Sequence, residues 1–391
     1  MLQMQHMDLN SRYQGVADLR QRAQKRMPKF VWEFLDSGTG VEAAKARNRA
    51  ALDQVGFLPS ILHGEQTVDL STQLLGHSYL APIGMAPIGM SGLMWPDAEG
   101  HLARAAAKAG LPYTLSNVAA QMPEDLAPHL GDHAWFQIYP PKDPDIRRDL
   151  LDRARGAGFK TLVLTVDVPV ASRRERQVRS GLTQPPHLTP RLLAQVLARP
   201  AWAMGMALAG MPHIRTLDKY TDNTQALSPT AHVGYLLRTS PDMEYAKWLR
   251  DHWDGPLIVK GVMRADDAPT LEAMGMDALW VSNHAGRQFD GTPATIEVLP
   301  AIRAATKLPL IFDSGIEGGL DILRALALGA DFVMLGRAFH FALAAIGPDG
   351  PAHLIHMLSQ DMISNMGQLG ARTLADLPEP IALNTLPTAR L

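Results

Sequence analysis

A histidine, an arginine and an aspartate fall together in the stretch SNHAGRQFDG, at His284, Arg287 and Asp290. An imidazole that titrates near neutrality, set beside a guanidinium that clamps anions, suits proton transfer on a small carboxylate. The preceding run Leu279 to Val281 is β-branched and aromatic, so these groups stand where a buried strand stops, on a turn loosened by Gly286. Taken singly, a histidine after a strand is a loop hydrogen-bonder and an arginine near a turn is a solvated charge. The elements that position them must decide.

With 391 residues the chain exceeds the usual single-domain size, yet α/β barrels fill this length as one domain. A hydrophobic fraction of 46% supports a large core, and a net charge of -2 gives no global attraction to nucleic acid. There is no cysteine, which excludes disulfides, thiolate nucleophiles and cysteine-ligated metal or iron–sulfur centres. Redox chemistry would need a bound cofactor, and no metal site is expected. The start MLQMQHMDLNSRYQG has no basic segment followed by an apolar core and cleavage site, so a cytoplasmic location is the expectation.

Helical spacing runs from Gly15 to Leu35, broken at Pro28, and resumes from Val41 to Gln54; Leu58 to Leu80 is polar and turn-rich. This predicts an N-terminal helical cap over residues 1–80. From residue 81 to 391 short apolar strands alternate with helices. The strands are expected near Ile83–Ala86, Tyr113–Leu115, Trp135–Ile138, Thr161–Val166, Leu257–Val259, Leu279–Val281, Leu310–Phe312 and Phe332–Leu335. Helix patterns such as AEGHLARAAAKAG, PEDLAPHL, DIRRDLLDRARGAG and GLDILRALALG lie between them. Eight strands alternating with helices predict an α/β fold, a (β/α)8 TIM barrel, with its active site at the C-terminal strand ends. Those ends deliver Pro87 and Gly89, Ser116, Gln137 and Tyr139, Thr165 and Asp167, Lys260, Ser282, Asp313 and Gly315, and Gly336 and Arg337, besides His284 and Arg287. The glycine-containing segments after strands seven and eight, DSGIEGG and LGRAF, suit phosphate, with Arg337 as a charge partner. Lys260 reads equally as a Schiff-base nucleophile, a phosphate contact or a cation set against a developing anion.

One connection breaks the regularity, an insertion after strand four over about 171–256. Its first part, Ala171 to Tyr220, carries eight Lys and Arg against two acidic residues and contains the apolar run LLAQVLARPAWAMGMALAGM. Arg199 and Pro200 interrupt that run, so it is too broken to span a bilayer. It reads either as a segment lying in a membrane interface or as a lid or subunit contact packed on the barrel.

The motif SNHAGRQFDG, supported in order by FQIYPPKD, LTVDVP, SRRE, LIVKGV and LALGADFVMLGR, resembles the FMN-dependent α-hydroxy-acid oxidases and dehydrogenases. The family motif reads SNHGGRQLDG. The resemblance covers nearly the whole chain from about Tyr13. It implies FMN as cofactor and oxidation of an (S)-2-hydroxy acid, lactate or a larger acid, to the 2-oxo acid. It implies His284 as base, Asp167 orienting it, Arg287 and Arg174 holding the substrate carboxylate, Tyr139 on the hydroxyl, and Lys260 beside the flavin. Ser116, Gln137 and Thr165 would bond the flavin ring, with Ser282 and Asp313 nearby; the backbone of Pro87, Ile88 and Gly89 would approach the ring; and Gly315, Gly336 and Arg337 would hold the phosphate. Membrane-bound relatives carry their anchor in this same insertion, which implies a quinone as acceptor and peripheral attachment to the inner face of the cytoplasmic membrane; oxygen is the alternative acceptor. Relatives are often tetramers, so a homo-oligomer is expected.

Four positions depart from the family pattern. Phe34 stands where a tyrosine is usual, Glu317 where an arginine is usual, Ala285 replaces a glycine, and Val118 replaces an aromatic residue. Two other readings keep the barrel: an FMN enzyme of another class, such as an isomerase, and a barrel that binds a ligand without catalysis.

Overall fold

A computed structural model describes residues 9–181, 189–220 and 240–385. Eight parallel strands close into a barrel: β1 Ile83–Met85, β2 Tyr113–Ser116, β3 Ala134–Ile138, β4 Thr161–Thr165, β5 Leu257–Val262, β6 Ala278–Val281, β7 Leu310–Phe312 and β8 Phe332–Leu335. All eight lie where the apolar runs predict them. Most are buried on both faces, as expected of strands covered by helices outside and packed side chains within. The barrel interior is filled by Trp135, Val163, Ile258, Trp280, Ile311, Phe332 and Met334, with Trp135 and Trp280 meeting edge-on at 6.4 Å. A two-stranded ribbon, Thr72–Leu74 with His77–Tyr79, adds Leu74 and Tyr79 to this cluster, Tyr79 packing on Phe332.

The cap consists of α1 Val16–Arg26, α2 Lys29–Asp36 and α3 Ala43–Asp53, with Pro28 at the expected break. Around the barrel run α4 Ala98–Ala109, α5 Pro144–Gly156, α6 Pro190–Leu197, α7 Pro200–Ala209, α8 Met243–His252, α9 Asp267–Ala273, α10 Thr295–Ala305, α11 Gly319–Ala327, α12 Arg337–Ile346 and α13 Gly350–Leu369. The helix expected in PEDLAPHL shrinks to one turn, Pro123–Leu126, followed by a 3-10 turn, because Pro128 has no N–H to continue the ladder. α1 packs along α12, which docks the cap beside the mouth of the barrel.

The insertion holds α6 and α7, which meet at an angle of 104° at Arg199 and Pro200; residues 182–188 and 221–239 of it lie outside the described residues. Leu192, Trp202 and Met206 turn inward and are buried, and the Trp202 indole donates to the Leu93 carbonyl at 3.0 Å. Leu197, Met204 and Leu208 face outward and are exposed, while Leu193 and Met211 are exposed where they line the cavity. The segment therefore packs on the barrel with one face and leaves apolar residues exposed on the other. Among the described residues no single helix is long and apolar enough to cross a membrane.

Candidate active site

Strand register sets the neighbours at the mouth. Pairing of β2 with β3 puts Ser116 beside Gln137, and pairing of β4 with β5 puts Thr165 beside Lys260. Just beyond β4, Asp167 reaches across to His284, its Oδ1 lying 2.9 Å from Nδ1. A bulge in β5 makes this possible: Gly261 has φ +112°, and a Cβ there would sit 2.5 Å from the Asp167 Cβ. Sequence reasoning missed Gly261, although a glycine inside the strand LIVKGV is the usual mark of a bulge or of a close approach.

The carboxylate assigns the imidazole proton to Nδ1 and leaves Nε2 as the acceptor. Burial holds the His284 pKa below its ordinary value, although Asp167 pulls the other way. Burial pushes the Asp167 carboxyl up, but His284 and Lys260 together bring it below the usual range. The pair is thus a neutral imidazole beside a carboxylate. Lys260 donates to the Ser282 hydroxyl at 2.8 Å and lies 3.3 Å from Asp313 and 3.7 Å from Asp167. Its ammonium stands 5.2 Å over the Trp280 ring, whose indole N–H binds Asp313 at 2.9 Å. Burial alone would lower the lysine, but Asp313 and Asp167 raise it, so it stays charged. A Schiff-base lysine needs the opposite shift, which leaves the electrostatic and phosphate readings of Lys260.

Three half-buried arginines surround the same cavity. Arg287 donates to the Ser37 carbonyl at 2.7 Å and to Leu35 at 3.3 Å. Arg174 is held by Ser172 at 3.0 Å and by Gln288 at 3.5 Å. Arg337 donates to Ala285 at 3.1 Å and to Ser37 at 3.4 Å. Among the described residues none of the three makes an ion pair with a carboxylate. Burial, then repulsion from Arg174 and Arg337, pushes the Arg287 pKa well down, and burial lowers those of Arg174 and Arg337. Clustered cations without a counter-ion are a site that gains from binding an anion. Tyr139 completes the group; burial, then the field of Asp167, raises its phenol to about 12, so it is a neutral donor.

The histidine loop is bolted to the cap. Asp290 accepts the backbone N–H groups of Val41 at 3.0 Å and Ala44 at 2.9 Å, which satisfies the start of α3. Asn283 and Asn48 exchange reciprocal amide hydrogen bonds at 2.9 and 2.7 Å, and Thr39 donates to the Gly286 carbonyl at 3.0 Å. His284, Ala285 and Gly286 all have positive φ, +54°, +54° and +71°. Ala285 therefore occupies a left-handed conformation that favours glycine, the residue of the family motif.

The residues present fit a flavin mononucleotide. Gln137 Nε2 and Thr165 Oγ1 are buried without a hydrogen-bond partner, Ser116 having taken the Gln137 oxygen at 2.7 Å. Arg337 Nε is likewise unpartnered. Such donors and acceptors at strand ends suit the polar edge of a flavin ring and a phosphate. Glu317 is exposed, and Lys45 and Arg20 of the cap, which sequence reasoning missed, add positive charge to the same cavity as Arg337. Both bind Asp36, at 2.9 and 3.0 Å. Pro87, Ile88, Gly89, Gly315 and Gly336 line the cavity too, together with Tyr139, Lys260, His284, Arg174, Arg287 and Asp313. Ser116, Gln137, Thr165 and Ser282 are buried at or next to the ends of their strands. No cluster of three or more His, Asp or Glu residues able to hold a metal occurs among the described residues.

A closed parallel barrel with a histidine–aspartate pair, a buried charged lysine and unpaired arginines at its mouth defines a flavin-barrel oxidoreductase. The model of the FMN-dependent dehydrogenase family matches residues 23–383, and the chain belongs to that family. It is 38% identical over 366 residues to an L-lactate dehydrogenase of Ectopseudomonas mendocina (strain ymp), covering 92% of this chain and 96% of that one. Among solved structures it is similar to the monotopic membrane protein (S)-mandelate dehydrogenase, with a TM-score of 0.89 and 33% identity over 95% of this chain and 99% of that one. It is also similar to a mandelate oxidase, with a TM-score of 0.80 and 31% identity over 94% and 98%. The protein is thus an FMN-dependent oxidoreductase.

Proposed function

We propose that the protein oxidises an (S)-2-hydroxy acid to the 2-oxo acid, with His284 as the base. The observation that carries this reading is the His284 Nδ1 bond to Asp167, which leaves Nε2 unprotonated in a cavity that Arg287 and Arg174 also line. Those arginines hold the substrate carboxylate, and Tyr139 binds the hydroxyl oxygen. His284 Nε2 takes a proton from the substrate, and Asp167 stabilises the imidazolium that forms. FMN, when bound, would take up the two electrons and the second hydrogen that leave as the C–O single bond becomes a carbonyl. Ser116, Gln137, Thr165 and Lys260 would hold its ring, and Gly315, Gly336 and Arg337 its phosphate. Lys260, kept cationic by Asp313 and Asp167, offsets negative charge on the ring.

The electron acceptor is a membrane quinone, and the chain sits peripherally on the inner face of the cytoplasmic membrane. The outward apolar residues of α6 and α7 and the likeness to a monotopic membrane protein support this reading. Likeness to a mandelate oxidase favours oxygen as the second reading. Replacing His284 by Asn is expected to slow anaerobic flavin reduction by 2-hydroxy acids by about 10²- to 10⁴-fold while FMN stays bound. A variant that keeps its rate would remove His284 as the base. Turnover with a short-chain quinone under nitrogen, compared with oxygen uptake in air, separates the two acceptors.

A further inference from the structure

The cavity has a volume of about 1150 Å³, whereas one drug-sized ligand fills a pocket of about 300–1,000 Å³. The cavity reaches past the clamp and the residues that would hold the flavin to Leu192, Val196 and Met206 of the insertion, and this far end has a definite wall. Phe34 of α2 stands beside the carboxylate clamp, its ring centre 6.0 Å from the Arg287 guanidinium carbon, and it has no hydroxyl to offer a carboxylate. Phe30, one turn earlier on the same helix face, meets Trp202 of α7 edge-on at 5.9 Å. Leu192 and Val196 of α6 and Met206 of α7 line the same cavity. An apolar surface therefore runs from the arginine clamp to the inner face of the insertion, a path of roughly 17 Å when the helical turn between the two rings is included.

A 2-hydroxy acid with its carboxylate on Arg287 and Arg174 and its hydroxyl on His284 and Tyr139 has one remaining carbon substituent. We infer that this substituent is a medium- to long-chain alkyl group, seated along Phe34, Phe30 and Trp202 beneath the α6–α7 pair. The inference rests on the hydroxy-acid reading above and adds the substrate class to it. The occupant is the substrate rather than a separate amphiphile because the wall begins at the carboxylate clamp.

The test is flavin reduction by holoenzyme with lactate, 2-hydroxybutyrate, 2-hydroxyhexanoate, 2-hydroxyoctanoate and 2-hydroxydodecanoate. Burial of each methylene is worth about threefold to fourfold in kcat/KM. The expected result is a rise of at least about a hundredfold from lactate to 2-hydroxyoctanoate. The corresponding 2-oxo acids should tighten in parallel, read as perturbation of the oxidised flavin spectrum. Ala203 of α7 lines the same cavity, and filling the wall with Ala203→Trp should lower the octanoate-to-lactate ratio at least about tenfold; the wild-type series stands as the test if that variant does not fold. Equal kcat/KM for lactate and the longer acids would overturn this inference and leave the hydroxy-acid reading standing. Failure of every acid to reduce the flavin would overturn both. A flat chain-length series with competition between lactate and a long-tailed quinone would assign the wall to the electron acceptor and overturn the inference.

Discussion

His284 combines two opposed influences, and the balance has a measurable sign. Burial lowers its pKa and Asp167 raises it, with burial ahead. On the proposed role of His284 as base, which requires the neutral imidazole, kcat/KM, which reports the free enzyme, is expected to rise with pH through an inflection below the ordinary histidine value of about 6.5. In Asp167→Asn the raising influence is gone. Its acid limb should move to lower pH while kcat falls by about a hundredfold, because the imidazolium is no longer stabilised. An unmoved limb would show that another group titrates. Next to the histidine, Ala285 has φ +54° and ψ +36°, which costs an L-residue roughly 1–2 kcal/mol. Ala285→Gly is therefore expected to raise unfolding stability by about 1 kcal/mol, measured by urea denaturation of the holoenzyme.

Between elements, the site is held by what joins the β6 loop to the cap. Asp290 accepts two backbone N–H groups at the start of α3, Arg287 donates to carbonyls at the end of α2, and Arg176 ties Glu33, Asp36 and Glu42 together from the insertion. Losing a helix cap costs about 0.5–2 kcal/mol. Asp290→Ala should thus lower stability by about 1–2 kcal/mol and weaken substrate binding through the loosened Arg287 loop, seen as a higher KM with little change in FMN content. Asp290 was read from the sequence only as part of a turn. Its capping role needs α3, more than two hundred residues earlier in the chain, to lie against the loop.

For the molecule as a whole, the insertion meets the barrel with one face and presents apolar residues with the other. Leu197 and Leu208 are 69% and 86% exposed, more than a lid needs. The double substitution Leu197→Glu with Leu208→Glu is expected to reduce co-sedimentation with anionic phospholipid vesicles by about tenfold or more. Reduction of FMN by lactate in detergent-free solution should continue. Unchanged vesicle binding would return α6 and α7 to the role of a lid alone.

Strand and helix periodicity, carried by nearest-neighbour burial, was enough to predict eight strands, the helical cap and the mouth of the barrel, because a parallel barrel puts every strand's C-terminal end on one face. Strand-end spacing also brought His284, Asp167, Lys260, Tyr139 and Arg287 forward, Arg174 came only from the family resemblance, and all six line or adjoin one cavity. What only the tertiary structure decided depends on contacts between distant segments. The clearance that Gly261 makes for Asp167, the unpaired state of the three arginines, the cap on α3 and the apolar wall from Phe34 to Trp202 each join residues from separate elements. No local pattern encodes them, since each is set by how the cap and the insertion close over the barrel.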